Sequence, residues 1–295
     1  MGVLMYSSYE LWLNKQGPTL IEGGGCLWRN YRRALLSARA TVFHPNISTC
    51  EAKKLLRSSG ALFMRYTKLS DGREGPWWWV VCDSYDLNRL PSKIRNQVNR
   101  GRRNCVVRQV DAIWLSEHGY ECYFSAHQRY KYTSLLSRVD FQAVLLKKTT
   151  GPFEFWAIFV GDSLAGYIEC IIENDQVTTN IAKFDPKYFK MYTSYALISH
   201  IQEYYVQIRK MVLDNGNRSI SHDTLFQELL IKLGYRKVYG NLIIVYKPIF
   251  GAAVNLLYPI RGLFMKFGKF DPFPQLRSIL FQEQIHRICR SVYKG

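Results

Sequence analysis

The chain has no C-x-x-C pair. Its seven cysteines, at positions 26, 50, 82, 105, 122, 170 and 289, are scattered, and its six histidines show no ligand spacing. The pattern excludes a structural zinc site and points to no metal. The first residues, MGVLMYSSYELWLNKQG, lack a basic stretch followed by an apolar run, so they do not read as a secretory leader. With an odd thiol count, this fits free, buried cysteines in a reducing cytoplasm. No run reaches the ~18 apolar residues that a bilayer-crossing helix requires. Acids are scarce: 23 Asp and Glu stand against 40 Lys and Arg, a net charge of +17. Such a surplus implies an anionic partner, whether nucleic acid, phosphorylated donor or lipid surface, and does not choose among them.

What is present is a folding chain. Over 295 residues, 47% are hydrophobic and 15% aromatic, enough to bury a sizeable core. Residues 1–75 read as a helical or mixed N-terminal extension, with a short amphipathic helix over 51–59 and a strand over 61–67. Residues 76–248 carry the clearest pattern. Trp77–Cys82 is a buried strand. Residues 87–108 form a basic helix that stops near Gly101 and leads into a strand from Val106. Residues 114–136 are mostly helical. Phe153–Val160 and Leu164–Ile172 make a hairpin through Gly161-Asp162-Ser163, and Gln176–Phe184 is a third strand. Leu197, Ile201, Tyr204 and Ile208 recur at helical spacing within 193–210. A T-x-x-Q capping box at Thr224–Gln227 opens another helix. Gly234 ends it, and a strand follows to Tyr246. Residues 249–295 form a C-terminal tail with a final amphipathic helix. Within it, Pro259 and the glycines argue against one continuous amphipathic helix over 250–270, and favour a tail folded over the domain.

Several short motifs stand in order. They are Leu164-Ala-Gly-Tyr167 after the hairpin turn, Lys183-Phe-Asp-Pro186 with Tyr188, Thr193-Ser-Tyr-Ala-Leu197 at a helix start, and Leu233-Gly-Tyr235 between the last helix and strand. The ordered set resembles the GNAT (Gcn5-related N-acetyltransferase) superfamily, and within it the FemAB-like branch. The resemblance spans about 170 residues. It implies an α/β fold: a mixed, mostly antiparallel twisted sheet flanked by helices. It also implies an acyltransferase that moves an acyl or aminoacyl group from acyl-CoA or aminoacyl-tRNA to an amine or hydroxyl, on a cell-wall or surface-glycan precursor in the relatives. Lys183, Lys190, Thr193 and Ser194 would then lie on the donor-binding segment, with no permanently bound cofactor. Two departures stand out. Asp185–Ser194 contains no glycine, where typical CoA-dependent members have a glycine-rich turn. Leu230 occupies the position where many place a tyrosine. Both shift weight from CoA towards tRNA, or towards lost activity.

The candidate site residues follow. His222, between Ser221 and Asp223 at a helix start, suits a general base, since a histidine titrates near neutrality. Glu169, on the strand from Leu164, matches the strand carboxylate that acts as base in several superfamily members. Tyr235 could protonate a leaving group. The run from Arg89 to Arg108 holds seven basic residues and no acid. Lys93, Arg95, Arg100, Arg102 and Arg103 are its phosphate- or nucleic-acid-binding candidates, with tRNA as a partner. The residues leave a second class open: a catalytically degenerate basic module that binds RNA or an anionic membrane surface. The expected location is cytoplasmic, with peripheral contact at the inner membrane face.

Overall fold

The computed structural model describes residues 6–128, 134–220, 225–266 and 274–293. One sheet of eleven strands runs through it. The first half contributes β1 (Leu20–Gly23), β2 (Cys26–Tyr31), β3 (Ala34–Ser37) and β4 (Phe63–Leu69), with α1 (Ser8–Lys15) before them and α2 (Thr49–Ser58) between β3 and β4. The chain continues through β5 (Trp78–Cys82), α3 (Ser92–Asn104), β6 (Val106–Val110), α4 (Ala112–His118), α5 (Tyr120–His127) and α6 (Arg138–Leu146). Next come β7 (Phe153–Val160), β8 (Ser163–Glu173), β9 (Gln176–Phe184), α7 (Thr193–Gln202), β10 (Val212–Asn217), α8 (Leu225–Lys232) and β11 (Arg236–Tyr246). A tail of α9 (Pro248–Leu257), α10 (Arg261–Lys266) and α11 (Pro274–Val292) closes the chain. The strand order is β1-β2-β3-β4-β11-β5-β10-β9-β8-β7-β6. All neighbours pair antiparallel except β3 with β4 and β9 with β10.

The hairpin read from Gly161 forms as expected. Val160 faces Ser163, and Gly161 takes a positive φ of 57°. The central strands are buried on both faces, because helices cover each side. On one face α3 and α7 pack over Trp156, Ile158, Ile168, Cys170 and Val177. On the other, α4, α5 and α6 pack over Phe155 and Tyr167.

Three expectations are corrected. The N-terminal region holds four strands of the sheet besides its helices. The basic helix does not stop at Gly101 but runs to Asn104. Gly101 is where α3 crosses the start of α7: a Cβ there would lie 2.7 Å from the Tyr192 carbonyl oxygen and 2.9 Å from the Ala196 methyl. The glycine serves packing, not termination. The stretch after α7, read from sequence as a loop, holds β10 (Val212–Asn217). As expected, 248–266 is not one continuous helix: a 3₁₀ turn at Tyr258–Ile260 separates α9 from α10. Pro259 falls in that turn, where a missing amide costs little. The final helix folds over the sheet. In α11, Ile285 and Cys289 pack with Leu242 and Ile244 of β11, and the His286 ring contacts the Leu242 carbonyl at 2.8 Å.

Candidate active site

The two halves repeat one unit: three antiparallel strands, a crossover helix, and a strand parallel to the third. Each repeat therefore makes a fork, where two parallel strands begin paired and then separate. Crevices at the carboxyl ends of parallel strands are where open sheets bind ligands. In the second repeat, pairing ends at Thr178 with Asp214. Beyond it, the Thr179 hydroxyl donates to the Asp214 carbonyl at 3.2 Å, and the Asn215 amide donates to the Thr179 carbonyl at 3.0 Å.

On the α3 side of the sheet, α7 crosses β6, β7 and β8, and its N-terminus stands by the start of β6, where the Cys105 thiol contacts the Met191 carbonyl. No side chain caps the helix. Tyr192 precedes it in the left-handed region (φ 59°, ψ 35°). This conformation costs a residue with a Cβ roughly 1–2 kcal/mol. The turn that lacks glycine is thus still made, with a tyrosine under strain. The Arg100 guanidinium stacks 5.1 Å from the Tyr192 ring centre. Ser92, Lys93, Asn96, Gln97, Arg100 and Tyr192 line an open groove of about 390 Å³ here. The buried Thr193 hydroxyl has no hydrogen-bond partner among the described residues. Free helix amides, the helix dipole and two cations together favour an anion.

On the opposite face, Asp214 is buried. It accepts from the Val42 amide at 3.1 Å and from the Gly216 amide. Burial raises its carboxyl from 3.8 to about 6. Glu173, nearby on this face, accepts from the Ala40 and Thr41 amides, each at 3.0 Å, and from the Ser7 hydroxyl. These carboxylates hold the 38–43 segment against the fork. Above it lies a pocket of about 150 Å³, with Arg29, Arg39, Arg65, Thr67, Gly216 and Asn217 in its lining.

The residues expected from sequence divide. Lys93 and Arg100 come together with Tyr192 at the groove, and Thr193, the next residue, is fully buried. Ser194 is the next residue of α7, and Lys190 is exposed just before it. Lys183 lies on the other face, 5.6 Å from the Tyr123 ring centre, with its amine pushed down by burial. Arg95 is occupied by the Asn88 and Leu90 carbonyls at 2.9 and 3.0 Å. Arg102 ties α3 to α7 through Ser199 and Glu203, both at 2.6 Å. Arg103 is exposed on the last turn of α3.

Glu169 is 1% exposed, paired with Lys148 and accepting from the Asn180 amide at 2.7 Å. Tyr235 is 3% exposed in the core; its hydroxyl has no hydrogen-bond partner among the described residues, and burial pushes it well above its usual value. Neither side chain is open to a substrate in this conformation. His222, with its neighbours Ser221 and Asp223 and the Thr224 half of the capping box, lies outside the described residues.

Sequence reasoning missed Asp214. Its only signal is an acid straight after the apolar pair Val212-Leu213, at a strand end marked by Asn215-Gly216. The arginines of the second pocket lie far apart in the chain, and no local spacing joins them.

No family model matches the chain, and no curated protein matches it. Solved structures do resemble it. The C-terminal domain of a protein assigned as a lysylphosphatidylglycerol synthetase, from Agrobacterium fabrum, superposes with a TM-score of 0.54 at 12% identity, over 86% of this chain and 90% of that one. FemX superposes with a TM-score of 0.55 at 8% identity, over 86% of this chain and 94% of that one. At such identities the likeness is one of fold. The fold is GNAT-like, a mixed α/β architecture with a mostly antiparallel open sheet between helices. Among the described residues no helix is long and apolar enough to cross a membrane, and no cluster of side chains has the makings of a metal site.

Proposed function

We propose that the chain is an acyl- or aminoacyltransferase of the FemAB-like kind, with the fork between β9 and β10 as its reaction centre. The observation that carries this reading is the uncapped α7 N-terminus, which opens on a groove with Lys93 and Arg100 on the α3 side of the sheet. That arrangement suits the phosphates of a donor, acyl-CoA or aminoacyl-tRNA. In the fork, the outer residues of β9 have β8 on one side and no ladder partner on the other. Fork-facing amides of these residues would stabilise the oxyanion of a tetrahedral intermediate. The acceptor amine or hydroxyl approaches from the face of Asp214, attacks the acyl carbonyl and displaces the CoA thiolate or the tRNA ribose oxygen. The Asp214 carboxyl, raised to about 6, is matched to taking the acceptor's proton at neutral pH; at 3% exposed it would do so only after the 38–43 segment moves off it. His222, on the segment that leaves β10, is the second candidate base. The polar, arginine-lined pocket suits an acceptor with an anionic group, which is compatible with a cell-wall or surface-glycan precursor.

One observation favours the alternative of a basic module without turnover that binds RNA or an anionic surface: Glu169, Tyr235 and Asp214 are all sealed. Thermal melting against CoA, acyl-CoAs and aminoacylated tRNA, at low and moderate salt, decides between them. A ligand that binds the folded state raises the midpoint by mass action. The transferase reading expects a shift with one donor that disappears in the Lys93→Ala, Arg100→Ala double variant, and transfer of label from that donor. A shift with both charged and uncharged tRNA, without transfer, supports the binding module. No shift with any donor rejects the proposed donor groove.

A further inference from the structure

The tail helices expose an apolar face that the fold does not use. From Pro248 to Phe264, α9, the 3₁₀ turn and the start of α10 carry Asn255 and Arg261 as their only strongly polar side chains. Phe250 and Val254 turn inward: Phe250 stacks on Phe63 at 6.1 Å and meets Tyr246 at 5.9 Å, and Val254 is buried. The other side stays open. Ile249 is 88% exposed, Leu256 79%, Ile260 46% and Leu263 60%. Taken with the exposed Ala252 and Ala253, these positions follow i, i+3, i+4, i+7, i+11 and i+14, which is one face of a helix. Scattered exposed aliphatics are ordinary, but a continuous stripe on a helix whose inner face is already packed marks an interaction surface.

The charge around the stripe indicates its partner. Lys247 directly precedes α9, and Arg261 opens α10. Tyr258, on the same helical segment, lies between the guanidinium groups of Arg261 and Arg287, whose carbons sit 4.2 and 3.8 Å from the ring centre. Aliphatic side chains beside tyrosine and basic residues are the composition of helices that lie in the headgroup region of a bilayer. We infer that the α9–α10 face docks the protein on an anionic phospholipid surface, with the stripe inserted among the acyl chains and the basic residues at the headgroups. The docking is independent of any transfer reaction at the fork.

The test is flotation of the full chain with vesicles. One set is phosphatidylcholine alone, and the other is phosphatidylcholine mixed with phosphatidylglycerol. The inference expects binding to the mixed vesicles, much weaker binding to phosphatidylcholine alone, and only partial loss in high salt, because the apolar part is not screened. A Leu256→Asp, Leu263→Asp double variant should bind at least about tenfold more weakly, since charged side chains are costly below the headgroups. Both sites are exposed, so its melting temperature should match that of the parent chain. Absence of vesicle binding at low salt overturns the inference. So does binding that the double variant retains, which would place the contact on other basic surfaces. A dimer in light scattering that the variant dissolves, without vesicle binding, would show that a second copy covers the stripe instead.

Discussion

The forks of the two halves share one plan and differ where their crossover helices begin. At α2, Ser48 and Glu51 form a closed box: the Ser48 hydroxyl accepts from the Glu51 amide at 3.2 Å, and the Glu51 carboxylate accepts from the Ser48 amide at 2.9 Å. The helix thus supplies its own anion, and its orphan amides are satisfied in place. At α7 no side chain does this. The residue before the helix is a strained Tyr192, and the nearest charges are cations. One repeat unit therefore makes a finished structural joint in the first half and an unfinished, anion-seeking one in the second. The difference teaches that the fold alone does not define a site. The site arises where the local hydrogen-bond inventory is left open.

This contrast can be broken by mutation. The largest effect is expected at the second fork. Asp214→Asn should lower turnover by about 10²–10⁴-fold if Asp214 is the base. Steady-state rates against pH check this: the parent profile should rise with a group near pH 6, and the variant's should not. An unchanged profile would move the role to His222. The same carboxyl affects stability. Its folded value lies above its unfolded value, so the folded state holds the proton more tightly. The associated stability is fully present below 3.8 and is lost as pH rises through about 6. Urea titrations at both ends of that window should show the loss in the parent and not in Asp214→Asn.

Next comes the buried pair on the same sheet. Lys148→Ala leaves the Glu169 carboxylate buried and unpaired, and should cost about 3–5 kcal/mol by urea denaturation. A loss below about 1 kcal/mol would show that Glu169 is reachable by water, and would return it to the list of open carboxylates. Gly101→Val pushes α3 off the start of α7 and should cost about 1–3 kcal/mol. The smallest effects sharpen the comparison directly. Ser48→Ala should cost about 1 kcal/mol at the closed joint. Tyr192→Asp at the open joint should add about 0.3–1 kcal/mol, as an acid at a helix start does, while weakening any anionic donor. A gain in donor affinity would contradict the groove as its site.

Much of the second half was legible because its strands are long and its turns chemically marked. Gly161-Asp162 announces the β7–β8 hairpin, and Gly234 (φ 96°) announces the end of α8. The first half was not. Its strands β1 and β3 have four residues each, too few for a clear alternation. The turn from β2 to β3 is made by Arg32 (φ 50°) and Arg33 (φ 64°), where asparagine or glycine would have flagged a hairpin. At the site, Lys93 and Arg100 were readable because both lie on one basic helix. Lys183 was assigned to the donor segment by its neighbours in sequence, but strand alternation sends its side chain to the opposite face. Asp214 was hidden by its Asn-Gly neighbours, which read as a turn.

By itself, the sequence determined the class of fold, the basic character of α3 and the helix and strand order from β5 onward, apart from β10 and α6. These depend on local spacing, turn residues and summed charge, all of which act within a few residues or over the whole chain. Only the tertiary structure decided which residues form the site. Lys93, Arg100 and Tyr192 meet because Gly101 allows α3 to lie against α7. Asp214 is raised towards neutrality because the 38–43 segment folds over it and excludes water. The exposed stripe of α9 and α10 is defined by what the sheet leaves uncovered. Burial and long-range contact set these properties, and neither is encoded at any single position.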